Sequence, residues 1–288
     1  MALIKFLTDS AADIPADLAR ELGIQVLHFP IALEDREIRD CVDYTPEEFY
    51  RVLLAEKKIP THAQLTPFMF EECYQQAYDE GYTHLIYTAI NAKGSSTYCN
   101  ALQARESFYD ENPKAREKFT ITVIDAGTYT MAYGWAVVQG ARMAADGQSP
   151  EKVEAFIRDW LAHARILFVP LDLRFAKKSG RVSAAAAFMG DALGLKPIMT
   201  FENGESKVLS KVRGEKNVVP AMLALCQKTR KKGTPYFLIR SANPEMAGKL
   251  RGACVHELKA EPELEYFIGG VIAINAGPNL IGMIYRER

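Results

Sequence analysis

Asn91-Ala92-Lys93-Gly94-Ser95-Ser96-Thr97-Tyr98 is the stretch whose residue types and spacing best suit chemistry. It follows the apolar run Leu85 to Ala89, which reads as a strand, and opens a pattern that reads as a helix from Ser95 to about Phe108. Such a segment lies at the carboxyl end of a sheet strand, where open α/β sheets bind ligands. The N–H groups of a first helical turn have no intrahelical partner, and with the helix dipole they favour an anion. Gly94 permits close approach, and the Ser95, Ser96 and Thr97 hydroxyls add donors. Without a committed Arg, the set suits a singly charged carboxylate better than a polyphosphate. The plainer reading is that Ser95 only caps the helix.

Two further stretches carry polar groups at element ends. Pro60-Thr61-His62-Ala63-Gln64-Leu65-Thr66-Pro67 is a polar loop entering a helix, where His62 either donates to an anion or lies in solvent. Asn275-Ala276-Gly277-Pro278-Asn279 follows an apolar run read as a strand, so Asn275 either braces the Gly-Pro turn or faces a cleft. Ser183 to Leu195 reads as a nearly uncharged helix of small residues, suited to core packing or to leaving room for a long apolar guest.

Catalytic signatures are missing: no phosphate-binding G-x-x-x-x-G-K-[ST], G-x-G-x-x-G, H-E-x-x-H, C-x-x-C or G-x-S-x-G occurs. His256-Glu257 resembles half a zinc motif, but Ala260 stands where the second ligand belongs. His28 in a strand and His163 late in a helix suit structural roles, and His84, just before a strand, carries no partner in sequence.

The elements that must position these residues alternate. Leu3 to Leu7 and Ile24 to Phe29 read as strands, separated by the polar turn Thr8-Asp9-Ser10 and a short helix from Pro15. Thr45-Pro46-Glu47-Glu48 has the form of a capping box, and Thr66-Pro67 opens another helix running to about Gly81. Strand Ile121 to Ile124 precedes two helices, the second opened by Ser149-Pro150. Alternation of this kind means βαβ units and a mainly parallel sheet. Past residue 165 the texture changes. Strands at Arg165 to Pro170, Pro197 to Phe201 and Lys207 to Val212 appear, the last two flanking an Asn203-Gly204 hairpin turn. A helix from Glu215, a strand Tyr236 to Ile239, a helix from Pro244 and strands Val271 to Asn275 and Ile281 to Tyr285 complete the chain. The expectation is an α/β protein of two domains: residues 1–163 with a Rossmann-like, mainly parallel sheet, and residues 164–288 with a mixed sheet.

Composition narrows the function. The 288 residues are 48% hydrophobic and 25% charged, average for a globular protein and too apolar for a disordered one. With 35 basic and 36 acidic side chains there is no basic footprint for nucleic acid. No apolar run approaches the ~20 residues of a transmembrane segment, and Met1 to Ser10 reads as a strand rather than a signal peptide. Five scattered cysteines suit free thiols of a reducing cytoplasm.

Taken in order, Thr8-Asp9-Ser10-Ala11-Ala12-Asp13, Gln64-Leu65-Thr66-Pro67, Lys93-Gly94-Ser95-Ser96-Thr97-Tyr98, Asp125, Lys178-Ser179-Gly180-Arg181-Val182, Lys211-Val212-Arg213-Gly214 and Gly277-Pro278 resemble the DegV family. The resemblance covers essentially the whole chain. These are bacterial fatty-acid-binding proteins that hold the acyl chain in a tunnel between two α/β domains.

The resemblance implies a non-catalytic carrier with no cofactor, whose ligand is a long-chain fatty acid and whose partner is a fatty acid kinase that makes the acyl phosphate for phospholipid synthesis. By motif, the family's carboxylate-binding Ser matches Ser95, followed by Ser96 where the family has Gly. Its carboxylate-binding Thr matches His62, with Thr61 one residue earlier. Its His before the closing Gly-Pro-Gly matches Asn275, and Arg213 matches an Arg of the kinase encounter. Ala63, Leu65 and Asn279 are further departures, replacing Ser, Pro and Gly. His62 is then expected to substitute for both the lost hydroxyl and the lost imidazole, and a carboxylate partner would favour its charged form at mildly acid pH. Ala186, Met189 and Leu193 of the small-residue segment are the expected acyl-tunnel wall. The alternative is an enzyme acting on a small carboxylated or phosphorylated metabolite at the same strand ends, with Asp9, Asp13 and Asp125 as acid–base or metal-binding carboxylates.

Overall fold

The computed structural model describes residues 2–188 and 194–288. The chain opens with β1 (Ile4–Asp9), α1 (Ala16–Glu21) and β2 (Gln25–Leu27), then runs through β3 (Pro30–Ala32), β4 (Glu37–Arg39), α2 (Pro46–Ala55) and β5 (Thr61–His62). Next come α3 (Pro67–Asp79), β6 (His84–Ala89), α4 (Thr97–Glu111), β7 (Thr120–Asp125), α5 (Met131–Ala145) and α6 (Pro150–His163). The remainder begins β8 (Ala164–Pro170), α7 (Leu173–Ser179), α8 (Ser183–Ala186), β9 (Leu195–Glu202), β10 (Glu205–Arg213) and α9 (Val218–Thr229). It ends β11 (Tyr236–Arg240), α10 (Pro244–Leu258), β12 (Leu264–Phe267), α11 (Gly270–Ala276) and β13 (Leu280–Arg286).

Two compact units divide the chain, residues 1–30 with 62–162 and residues 31–61 with 163–288. The cut expected between 163 and 164 falls one residue from this division. In addition, residues 31–61 group with the second unit, an excursion that chain order hides. Specific bonds hold them there: Asp40 Oδ1 accepts the Gly270 N–H at 2.7 Å, and Tyr50 Oη accepts the Ile268 N–H at 3.2 Å. Lys178 Nζ donates to the Ile59 carbonyl at 3.0 Å. The capping box of α2 forms as expected, with Glu48 N–H to Thr45 Oγ1 at 3.3 Å and Thr45 N–H to Glu48 Oε2 at 2.9 Å. A small sheet of order β4-β3-β5 stands at the two ends of this excursion.

In the first unit, four parallel strands lie in the order β2-β1-β6-β7. The last four residues of β1 and the last five of β6 are all buried, as expected for parallel strands whose two faces both pack against the rest of the unit. Thr8 and Asp9, expected in a turn, extend β1 instead. Their side chains are satisfied inside the unit: Thr8 Oγ1 donates to the Thr88 carbonyl at 2.9 Å, and Asp9 accepts several bonds described below. Polar residues with buried partners read as turn residues in sequence.

The second unit has a six-stranded mixed sheet, β10-β9-β8-β13-β11-β12, in which only the β11–β12 pair is parallel. The β9–β10 turn is the expected one. Asn203 (φ 50°) and Gly204 (φ 76°) both take the left-handed conformation that a two-residue hairpin of the I′ type requires. Leu167, Ile198, Met222, Ile281 and Met283, all fully buried, centre the core between this sheet, α9 and α10.

Val271 to Asn275 is helical, within α11, rather than a strand. Its β-branched residues favour a strand locally, but Gly269 and Gly270 open a helical turn whose first donor meets buried Asp40. Leu195, expected to end a helix, begins β9, where it pairs with Arg213, while α8 comprises only Ser183–Ala186. Residues 189–193 of that expected helix lie outside the described residues. Strand β12, unnoticed in the sequence, is only four residues long and half-buried.

Candidate functional site

Strands β1, β6 and β7 end together, with Thr8 beside Thr88 and Ala89 beside Asp125. The three loops that follow are bonded to one another. Asn91 N–H donates to the Thr128 carbonyl at 3.2 Å, Ala126 N–H to the Ala89 carbonyl at 3.0 Å, and Thr130 N–H to the Ala11 carbonyl at 2.9 Å. Asn91 organises the middle loop: its carbonyl accepts from Gly94 (2.9 Å) and Ser95 (3.2 Å), and its Oδ1 accepts from Lys93 N–H (3.2 Å). Its Nδ2 donates to Tyr129 Oη at 2.8 Å. Gly94 packs closely against that tyrosine: a Cβ would run into its hydroxyl and lie 3.2 Å from Tyr129 Cζ, so the ring would have to move.

The loop delivers Ser95 and Ser96 to the start of α4, which begins at Thr97, two residues later than expected. Ser96 is the N-cap, exposed and making no side-chain capping bond. Ser95 Oγ, half-buried, lies 2.9 Å from Thr97 Oγ1 and accepts from Thr97 N–H at 3.3 Å. Thr97, fully buried, also accepts the Leu65 N–H at 3.4 Å, and Asn100 Nδ2 donates to the Leu65 carbonyl at 2.7 Å. The Ser95 turn and the 62–65 loop are therefore bonded through Thr97 and Asn100. His62 itself is half-buried in β5, its ring 6.4 Å from and nearly perpendicular to that of buried Phe29.

Buried Asp9 stands behind this surface. Tyr133 Oη donates to its Oδ1 at 2.6 Å, while Tyr87 Oη (3.0 Å) and Ile90 N–H (2.9 Å) donate to its Oδ2. Burial pushes its carboxyl up to about 6, against the opposing pull of these bonds and the Ala11 N–H. Burial beside the carboxylate holds the Tyr87 and Tyr133 phenols well above their ordinary value. Asp125 Oδ1 accepts the Ala92 and Gly127 N–H groups, each at 2.9 Å. Both carboxylates thus accept hydrogen bonds from the loops that follow β6 and β7 or from the tyrosines behind them. No group of three His, Cys, Asp or Glu among the described residues is placed to hold a metal ion. No helix among them is long and apolar enough to cross a membrane.

The remaining expected site residues belong to the second unit. Thr61, exposed, opens β5. Asn275 lies in α11, where its Nδ2 donates to the Val271 carbonyl at 2.7 Å within the helix. Arg213 ends β10, exposed, its carbonyl accepting from Asn217 Nδ2 at 2.8 Å. Ala186 ends α8, and Met189 and Leu193 fall outside the described residues. Sequence reasoning missed Asn91, Thr97 and Tyr129 as the bracing of the Ser95 turn. Asn91 directly after an apolar strand and before Gly94 was the available signal.

A family model described as "Uncharacterised protein, DegV family" matches residues 3–288. A DegV domain-containing protein of Caldanaerobacter subterraneus subsp. tengcongensis is 31% identical, with 100% of each chain covered. Among solved structures, a DegV family protein of Thermus thermophilus described by its fatty acid binding is 28% identical, with a TM-score of 0.86 over 99% of this chain and 100% of that one. The fatty acid binding protein DegV of Bacillus subtilis, 22% identical with a TM-score of 0.85 over 100% of both chains, has the same fold.

Proposed function

The chain belongs to the DegV family, and on that premise we propose that it binds a long-chain fatty acid and acts as a non-catalytic carrier. The observation that carries this reading is the Ser95–Thr97 hydroxyl pair at the first turn of α4, bonded through Leu65 to the loop that bears His62. Hydroxyls, helical N–H groups and an imidazole suit one carboxylate. The 28% identity to the T. thermophilus protein supports the same ligand class.

Ser95 and His62 hold the carboxylate in this proposal, with Ser96, Thr61 and Asn275 as further contacts. The acyl chain supplies the affinity. Burying each methylene contributes about 0.8 kcal/mol, so a chain of about 16 carbons represents ~12 kcal/mol before ordering and association costs. A head group of neutral donors then suffices to set orientation. Ala186, Met189 and Leu193 line the acyl chain, so Ala186→Phe shortens the preferred ligand. A fatty acid kinase is the partner that phosphorylates the presented carboxylate, with Arg213 on the exposed end of β10 as a contact. All five cysteines are free thiols, in keeping with a cytoplasmic protein.

The direct test is denaturing mass spectrometry of an organic extract of the purified protein. Recovery of a stoichiometric C14 to C20 fatty acid supports the reading and identifies its specificity. An empty extract, together with no rise in melting temperature on adding fatty acid, sinks it.

A further inference from the structure

We infer that Asp9 is the positioning residue of the head-group site: by accepting the Ile90 N–H, its enclosed carboxylate holds the 90–96 loop in the form that presents Ser95. This rests on the reading above for what the loop binds, though not for how the loop is held.

The bonds run in an unbroken chain. Asp9 Oδ2 accepts from Ile90, the first residue past β6. The next residue, Asn91, accepts the Gly94 and Ser95 N–H groups on its carbonyl and the Lys93 N–H on its side chain. Ile90 is thus the root of the turn, and its orientation sets that of Asn91. Tyr87 from β6 and Tyr133 from α5 clamp the carboxylate from two further elements, and Ala11 N–H faces it from the loop after β1. Asp13 acts electrostatically on Tyr133, and Tyr74 and Cys73 act on Tyr87.

A carboxylate is required because every group aimed at it is a donor. An ionised Asp accepts at about four lone-pair sites and donates nothing. A proton placed on it, or the amide of Asn, sets a donor against a donor at one of its two positions. A tyrosine hydroxyl can turn to accept that hydrogen, whereas the Ile90 N–H can only donate, so the Ile90 bond is the one lost when the hydrogen stands at Oδ2. The site then loosens on acidification through the range in which buried Asp9 takes up its proton, about pH 6.

The test measures two things on the ligand-free and fatty-acid-loaded protein: amide hydrogen exchange of residues 90–96, and palmitate affinity from pH 8 to pH 5. At pH 8, Asp9→Asn is expected to lose protection in the loop and about tenfold in affinity, one charge-assisted hydrogen bond's worth. Its affinity lacks the acid step of the wild type, the titration of palmitate being common to both proteins. Tyr133→Phe serves if Asp9→Asn does not fold. It removes a bond that pulls the carboxyl down, so it moves the acid step to higher pH, a change that a merely structural role does not produce. Unchanged loop protection in Asp9→Asn, or an unshifted step in Tyr133→Phe, overturns the inference. If the wild type binds no palmitate at any pH, the carrier reading falls, and loop protection alone still decides whether Asp9 positions the turn.

Discussion

Asp40 and Gly270, 230 residues apart in sequence, are joined by a 2.7 Å hydrogen bond inside the second unit. Asp40 is 2% exposed and supplies an acceptor for the first turn of α11. Gly270 has no room for a side chain, since a Cβ would lie 2.8 Å from Ile31 Cδ1 and 3.0 Å from Phe49 Cε1. One excursion of the chain and one helix therefore depend on each other.

Asp40→Ala is expected to leave the Gly270 N–H buried without its acceptor and to cost about 1–3 kcal/mol. Urea denaturation followed by circular dichroism measures this. Asp40→Asn, which keeps the shape and one acceptor oxygen, is expected to recover most of the loss. A loss in Asp40→Asn as large as in Asp40→Ala would contradict the acceptor role.

Gly94→Ala is expected to push Tyr129 off Asn91 and to cost about 1–3 kcal/mol, as overpacking commonly does. Fatty acid affinity falls with it, because the same turn presents Ser95. Retention of full affinity in a variant that is destabilised would show that the turn is not the head-group site.

Thr97→Val keeps shape while removing the hydroxyl that bonds both Ser95 and Leu65. The expected loss in palmitate affinity is about fivefold to tenfold, from a buried N–H and a serine left without their partner. Ser95→Ala is expected to lose a similar factor directly. Isothermal titration of delipidated protein reads both, and equality of all three affinities would remove the hydroxyl pair from the site.

Stability carries its own dependence on pH. The Asp9 carboxyl is raised from 3.8 to about 6 in the fold, so the folded protein binds this proton more tightly than the unfolded chain does. The stabilising contribution is complete below pH 3.8 and is lost as pH rises through about 6, amounting to about 3 kcal/mol between those limits. Between pH 5 and pH 7.5 the wild type should therefore lose stability relative to Asp9→Asn. Parallel denaturation midpoints for the two proteins over that range would contradict it.

The alternation of apolar runs with capped helices made most of both units legible, because those elements obey local rules. Thr45 caps α2, and Asn203-Gly204 turns the β9–β10 hairpin, as their chemistry requires. The place of Ser95 just ahead of α4 was legible because a helix start after a strand is a local pattern, although α4 begins two residues later than expected. The grouping of residues 31–61 was not, since it rests on bonds such as Asp40 to Gly270 that join distant parts of the chain. Val271 to Asn275 misled because β-branched residues carry strand propensity, whereas the preceding glycines and a remote acceptor decide for helix. Asp9 looked like a turn residue or a free acid, since only its tyrosine partners, 78 and 124 residues away, give it another role.

The division of the chain into residues 1–30 with 62–162, and 31–61 with 163–288, has a consequence during synthesis. When residues 31–61 leave the ribosome, the strands and helices they pack with have not been made. Translation proceeds at about 5–20 residues per second, so Asp40 waits on the order of tens of seconds for Gly270. Through that interval the first unit can close from residues 62–162 while the excursion still lacks α11, which its Asp40 holds and against which Phe49, buried in the finished fold, packs at Gly270. In a nascent chain stalled before residue 270, the donor that Asp40 accepts from in the finished fold is still missing.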